Sequence, residues 1–251
     1  MSKIRISAVK YANTYPFIYG MKESGFEKKV SLVTDHPADC ARKLIEKTVD
    51  IGLVPVAAIP MVENASVVGD YCIGADGKVR TVQLFSNRPI EEVENVYLDY
   101  RSRTSVNLVK VLARHKWKRS FNWIGTSERF DFAGIKDNEA TVLIGDQCFL
   151  FENRFAVSLD LAQEWKDHTG LPFVFACWTA NRDIDPDFRK EFNEALAMGV
   201  NNIPAVVEMF GKTGVIQGET LGKYLTENID FILDDRKREA INLFLGLLKE
   251  L

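Results

Sequence analysis

Four short polar turns hold the side chains best suited to chemistry: Tyr11-Ala12-Asn13-Thr14, Ser86-Asn87, Arg101-Ser102-Arg103-Thr104-Ser105 and Gly145-Asp146. Each follows a run of β-type residues, and in open α/β sheets ligands gather beyond the carboxyl ends of the strands. The four turns are therefore expected to face one another. Residues 102–105 open a helical stretch, where free backbone N–H groups together with the Thr104 and Ser105 hydroxyls form a cradle for a carboxylate or phosphate. The competing reading is that Ser102 or Thr104 only caps the helix, and that Arg103 lies on the surface.

Asn13 offers two donors and an acceptor, enough to fix a hydroxyl or a carboxylate, although an Asn ahead of Thr14-Tyr15-Pro16 is also an ordinary helix cap. Asp146 follows the apolar Val142-Leu143-Ile144 and can be a base, an acid or an anchor for a leaving group if burial raises its pKa. A cap is the alternative here too. Gly145 would let a ligand approach the backbone closely. His36, His115 and His168 sit in or beside polar helical stretches, so surface positions are expected and no histidine base is evident. Ser86 lies in no GxSxG elbow, and residues 74–77 form neither a GxGxxG turn nor a P-loop, which removes the usual support for hydrolase, nucleotide-binding and dehydrogenase functions.

The elements that must position these turns alternate strand and helix, the pattern of a parallel sheet covered by helices. Strands are expected at 4–9, 30–34, 50–54, 81–85, 96–99, 141–144 and 173–178. Asn13 or Thr14 caps a helix with Pro16 in its first turn and Gly25 at its stop. Further helices are expected at 38–48, where Cys40, Ala41, Leu44 and Ile45 form an apolar stripe, at 55–60 and at 105–114, with a mostly helical segment after Pro186. No repeat or Gly/Ser linker interrupts the layout. We expect two α/β lobes sharing one cleft, the first made of 1–85 plus 180–251 and the second of 86–179, with the chain crossing near Phe85.

Composition narrows the ligand. The 251 residues carry a formal net charge of -3, from 32 basic and 35 acidic side chains well mixed along the chain, which gives no pull toward nucleic acid or anionic lipid. The densest basic stretch, 114–119, reads as a solvated helix end. Cys40, Cys72, Cys148 and Cys177 form no CxxC pair and have no histidine at zinc spacing, so they are expected in the core rather than on a metal. No run approaches the ~18 apolar residues of a membrane span, and the first residues lack the features of a secretory signal, so a cytoplasmic location is expected.

Several pieces in order resemble the menaquinone-biosynthesis family that includes chorismate dehydratase. They are strand 4–9 with Tyr11-x-Asn13-Thr14-x-Pro16, Asp50-Ile51-Gly52-Leu53-Val54-Pro55, Asp76-Gly77-x-Val79-Arg80-x-Val82-x-Leu84-Phe85-Ser86, Leu98-Asp99 with Ser102-Arg103-Thr104-Ser105, Leu143-Ile144-Gly145-Asp146, and Trp165 with Thr169-Gly170-Leu171-Pro172-Phe173-Val174-Phe175-Ala176-x-Trp178. Together they span residues 4–180. Ala12 and Val56 depart from the family, where Leu and Ser are common, and Lys10 is unusual. A related naphthoate-forming enzyme usually carries a histidine where this chain has Asp146.

The resemblance implies the two-lobed fold of type 2 periplasmic binding proteins. It also implies loss of water from chorismate to give 3-[(1-carboxyvinyl)oxy]benzoate, with no metal or organic cofactor. In that reading Thr104, Ser105 and nearby amides, with Ser102 and Arg103, bind a carboxylate. Asn13 and Ser86 hold hydroxyl or carboxylate groups with Thr14 beside them, Asp146 forms the polar wall beside Gly145, and Tyr11 and Trp178 shape the pocket. The substrate's own enolpyruvyl carboxylate takes the C3 proton. A non-catalytic small-anion binder and the naphthoate-forming enzyme are the alternatives.

Overall fold

The computed structural model describes residues 3–132 and 134–251; Met1 and Ser2, which the expected first lobe included, lie outside them. The chain opens on β1 (Ile4–Val9), whose apolar residues from Ile6 onward are buried, and a tight 3₁₀ turn at Ala12–Thr14 leads into α1 (Tyr15–Glu23) with Pro16 in its first turn. Gly25 follows at φ 72°, the left-handed conformation that glycine takes without steric cost. Next come β2 (Val30–Asp35), α2 (Pro37–Ile45), β3 (Ile51–Pro55), a 3₁₀ segment at Val56–Met61, and β4 (Ser66–Ala75). As the stripe predicts, Cys40, Ala41 and Leu44 of α2 are fully buried.

The second group is β5 (Val82–Ser86), β6 (Asn95–Leu98), α3 (Thr104–Leu112) with a π-turn continuing to Trp117, β7 (Asn122–Gly125), β8 (Glu139–Ile144), α4 (Cys148–Phe151) and β9 (Val157–Asp160). The chain then runs through α5 (Leu161–Thr169), β10 (Phe173–Ala180), α6 (Pro186–Val200), α7 (Ile203–Phe210), α8 (Gly218–Lys223), β11 (Asp230–Ile232) and α9 (Asp235–Leu248).

These strands make two sheets, ordered β11-β4-β10-β3-β1-β2 and β7-β6-β8-β5-β9. The chain leaves the first sheet after Ala75, enters the second at Val82, leaves it after Asp160 and re-enters the first at Phe173. The crossings expected at Phe85 and at 179–180 are therefore corrected: 82–85 belong to the second lobe and 173–179 to the first. The reading missed β4, β7, β9 and β11. The first of these is the last strand of the first sheet before the chain crosses, so the outward crossing comes just after it rather than within β5.

Strand direction follows from the crossings. β1, β2 and β3 run parallel, as do β6, β7 and β8, and all end toward the seam between the sheets. β5 and β10 each begin at that seam, because the chain has just arrived from the other lobe, and so each runs antiparallel to its neighbours β8 and β3. The crossing segments are held by Asp160, which is only 8% exposed. Its carboxylate accepts from the Arg80 N–H on the outward crossing and from the Gln83 amide at the start of β5, and caps α5 through the Ala162 and Gln163 N–H groups.

The C-terminal helices seat α1, and with it the turn that follows β1. α1 and α6 meet at Gly20 and Gly199 in backbone contact: a Cβ at Gly199 would lie 1.7 Å from the Pro16 carbonyl oxygen, and one at Gly20 would lie 1.9 Å from that of Ala195. No relaxation of a side chain can open that space. Gly199→Ala is expected to lower stability by about 3 kcal/mol or more through overpacking, read as a drop in the urea midpoint with an unchanged slope.

Candidate functional site

The seam holds a cavity, partly open to solvent, lined by Tyr11, Asn13, Thr81, Ser102, Thr104, Ser105 and Gly145, with apolar walls from Val9, Ile73, Val82, Ile144 and Phe175. Its polar atoms come from the ends of β1 and β8, the start of β5 and the N-terminus of α3. Three of the four expected turns thus converge. The fourth does not: because β5 runs against β8, Thr81 and Val82 lie at the cleft while Ser86 pairs with Ala140 at the opposite end. Ser86 is fully buried and its hydroxyl donates to the Arg88 carbonyl at 2.5 Å, so it lies away from the cleft.

Within the α3 turn the hydroxyls divide. Ser102 Oγ accepts the Ser105 N–H at 3.0 Å and so caps the helix, the alternative weighed for it. Thr104 Oγ1 donates to the Phe175 carbonyl at 3.1 Å and accepts the Ala57 N–H at 3.3 Å, joining α3 to both β10 and the Val56–Met61 segment of the other lobe. Ser105 Oγ faces the cavity and has no hydrogen-bond partner among the described residues. Arg103 reaches across the seam to Met61, with Nη1 3.3 Å from the sulfur, and does not line the cavity.

On the facing wall, Asn13 is 8% exposed; Thr14, fully buried behind it, donates to Asn13 Oδ1 at 3.3 Å. Tyr224, which follows α8, is also fully buried. Its hydroxyl lies 2.9 Å from Thr81 Oγ1 and also bonds Asn13, and burial before all else raises its pKa. Tyr224 and Thr81 are the site residues that sequence reading missed. They are 143 positions apart, so no local spacing links them, although the expected strand did include Thr81.

Asp146 stands beside Gly145 of the lining but does not itself line the cavity. Both carboxylate oxygens accept the Ala12 N–H, at 3.1 and 3.2 Å, across the seam. Burial pushes its pKa up to about 6, offset only in part by that N–H. Gly145 beside it has φ +75°, and a Cβ there would come within 2.7 Å of the Tyr11 ring, so glycine is required both for the backbone and for the ring.

Tyr11 lines the cavity, and its hydroxyl is 3.3 Å from His36 Nδ1. His36 lies between β2 and α2, beside a helix as expected but partly buried rather than on the surface. Burial, then Lys10 and Arg101, hold its pKa below the ordinary histidine value. Trp178 is not in the pocket. It is fully buried and packs edge-on against Phe17 and Phe192 in the helical layer of the first lobe, while Phe175 and Ala176 of the same strand face the cavity.

Among the described residues no group of three His, Cys, Asp or Glu side chains is placed to hold a metal ion, the four cysteines are buried and unpaired, and no helix is long and apolar enough to cross a membrane.

Comparison with known proteins agrees with this architecture. A protein from Archaeoglobus fulgidus has the same fold at TM-score 0.78 and 13% identity, covering 99% of this chain and 97% of its own. A Candida albicans protein described as exhibiting the generic periplasmic binding protein fold matches at TM-score 0.71 and 11% identity, covering 100% and 91%. In sequence, the chorismate dehydratase of Thermus thermophilus is 24% identical over 260 residues, 94% of this chain and 91% of that protein. A family profile described as menaquinone biosynthesis matches residues 4–250, including the C-terminal helices that carry Tyr224, and the chain belongs to that family.

Proposed function

We propose that this protein is a chorismate dehydratase, removing water from chorismate to give 3-[(1-carboxyvinyl)oxy]benzoate. The observation that carries the reading is the pairing, across one cleft, of the α3 N-terminus and the free Ser105 hydroxyl with the Asn13 amide held by Thr14 and Tyr224. Positive helix-end potential and an unpartnered hydroxyl suit a carboxylate. The facing amide suits a second oxygen group. The similarity to the Thermus thermophilus enzyme supports the same chemistry.

The reaction breaks the C3–H and C4–O bonds and leaves an aromatic ring, so the proton and the hydroxyl depart together as water and aromatisation supplies the driving force. What the protein must contribute is positioning and a polar environment. The lining residues include no histidine, lysine, glutamate or aspartate side chain. We assign the C3 proton to the substrate's enolpyruvyl carboxylate, aimed by the Asn13 amide, and the anchoring of the ring carboxylate to Ser105 and the α3 N-terminus. Thr81, tied to Tyr224, takes the place beside Asn13 that sequence reading gave to Ser86. Thr104 and Asp146 keep the lobes in register.

Incubating the purified protein with chorismate and following substrate loss and the new benzoate by chromatography and mass spectrometry tests the reading. Chorismate bound but unchanged would make the protein a binder; chorismate ignored would end the proposal. With turnover in hand, Asn13→Ala is expected to lower kcat/KM by about 100-fold or more, the loss of roughly 3 kcal/mol of oriented hydrogen bonding. Ser105→Ala should cost about tenfold, mostly in KM, one charge-assisted bond. Ser86→Ala should leave both constants unchanged.

Asp146 gives a pH dependence. Ionised above about pH 6, its carboxylate takes the Ala12 N–H with full charge; protonated below it, that assistance is lost. kcat/KM should therefore rise with pH through about 6, and Asp146→Asn should remove this limb. For stability the sign is opposite. The folded pKa lies above the ~3.9 of an unfolded aspartate, so the folded state binds the extra proton and stability is lost as pH rises across that window. Urea titrations of the wild type and Asp146→Asn at pH 4 and pH 7 would show the difference.

A further inference from the structure

Arg101 has no part in the contacts assigned above and does not itself line the cavity, but it directly precedes Ser102 of the cavity wall and its charge acts on Tyr11 across the seam. Its side chain is 15% exposed and grips the fully buried Asp99 with two bonds, Nε to Oδ1 at 2.8 Å and Nη2 to Oδ2 at 2.6 Å. Tyr100 and Phe132 flank the guanidinium, with ring centres 5.4 and 5.9 Å from Cζ. Nη1 makes no hydrogen bond among the described residues. A guanidinium fixed along one edge, with its remaining donors free, is preorganised for an oxyanion.

The pair does not cancel as seen from the cleft. Asp99 also accepts from the backbone N–H groups of Arg101 and Ile144 and from the Gln147 amide, so its charge is spread over several donors inside the second lobe. Across the seam stand Lys10, Tyr11 and His36. Burial first of all raises the Tyr11 phenol, and among the charges around it Arg101 acts more strongly than Asp99. The same order holds at His36, where burial and Lys10 are joined by Arg101 ahead of Asp99. Arg101 is thus felt by groups across the seam, although the chain as a whole is acidic.

We propose that Arg101 is a further anion contact of the cleft, its free Nη1 edge sharing with Asn13 one carboxylate of a dicarboxylate ligand whose other carboxylate lies at the N-terminus of α3. This rests on reading the cleft as a site for chorismate, which carries two carboxylates. It makes Arg101 a specificity determinant that selects dicarboxylates over monocarboxylates of the same shape, and Asp99 the group that positions it.

Two probes separate the contributions: 3-(carboxymethoxy)benzoate, with both carboxylates, and 3-methoxybenzoate, with one. Calorimetry on the wild type is expected to give about 10- to 100-fold tighter binding of the dicarboxylate, the range of a charge-assisted contact. Arg101→Gln should abolish that preference while leaving the affinity for 3-methoxybenzoate unchanged. Because this variant leaves Asp99 buried without its partner, the double variant Asp99→Asn/Arg101→Gln, which removes both charges, must show the same loss. A preference that persists in these variants, or an equal weakening of both ligands, overturns the proposal. The outcome is separable from the function. A wild type that turns over chorismate without discriminating the probes sinks only the role of Arg101. One that discriminates them through Arg101 but leaves chorismate intact sinks only the dehydratase reading.

Discussion

Asp160 joins the two crossings on which the molecule is built. Its carboxylate accepts Arg80 and Gln83 from the outgoing chain and Ala162 and Gln163 from the returning one, so that one buried group ties both. Desolvation alone raises its pKa, and the donors work against that rise. Arg80, at φ 63°, takes the sharp turn into β5 that the carboxylate stabilises. With the crossings held side by side, β5 and β10 must both start at the seam and run against the strands that end there. That reversal decides which end of each strand reaches ligand.

Within the cleft, neighbouring hydroxyls of one turn have different tasks. Ser102 satisfies the first turn of α3, Thr104 bonds the opposite lobe, and Ser105 is left for a ligand. The same economy appears at Asp146, whose oxygens hold Ala12 rather than point into the cavity. Residues that close the lobes and residues that bind are interleaved along the chain.

Much of this was legible locally. The β1 run, the Thr14-Tyr15-Pro16 helix start, Gly25 and the α2 stripe are read from short-range stereochemistry, and each lies where the pattern puts it. Tyr11, Asn13, Ser102, Thr104, Ser105 and Gly145 were selected as strand-end polar residues and do line one cavity. Ser86 was misplaced for a single reason, the hidden β4, which moved the outward crossing and reversed the sense of β5. Trp178 was misplaced because β10 is buried on both faces, and alternation along a fully buried strand gives no sign of which side meets the cleft.

By itself the sequence determined the α/β class, the family, the chemistry available at the strand ends and the expectation of a small anionic ligand, because these depend on residue type and spacing over a few positions. Only the tertiary structure decided which hydroxyls are free, which strand runs backwards, and that Tyr224, Thr81 and Asn13 form one network. Most of those outcomes depend on contacts between segments far apart in sequence, from 47 positions for Thr104 and Ala57 to 143 for Thr81 and Tyr224. Such contacts are chosen by the packing of whole lobes, and no local pattern encodes them.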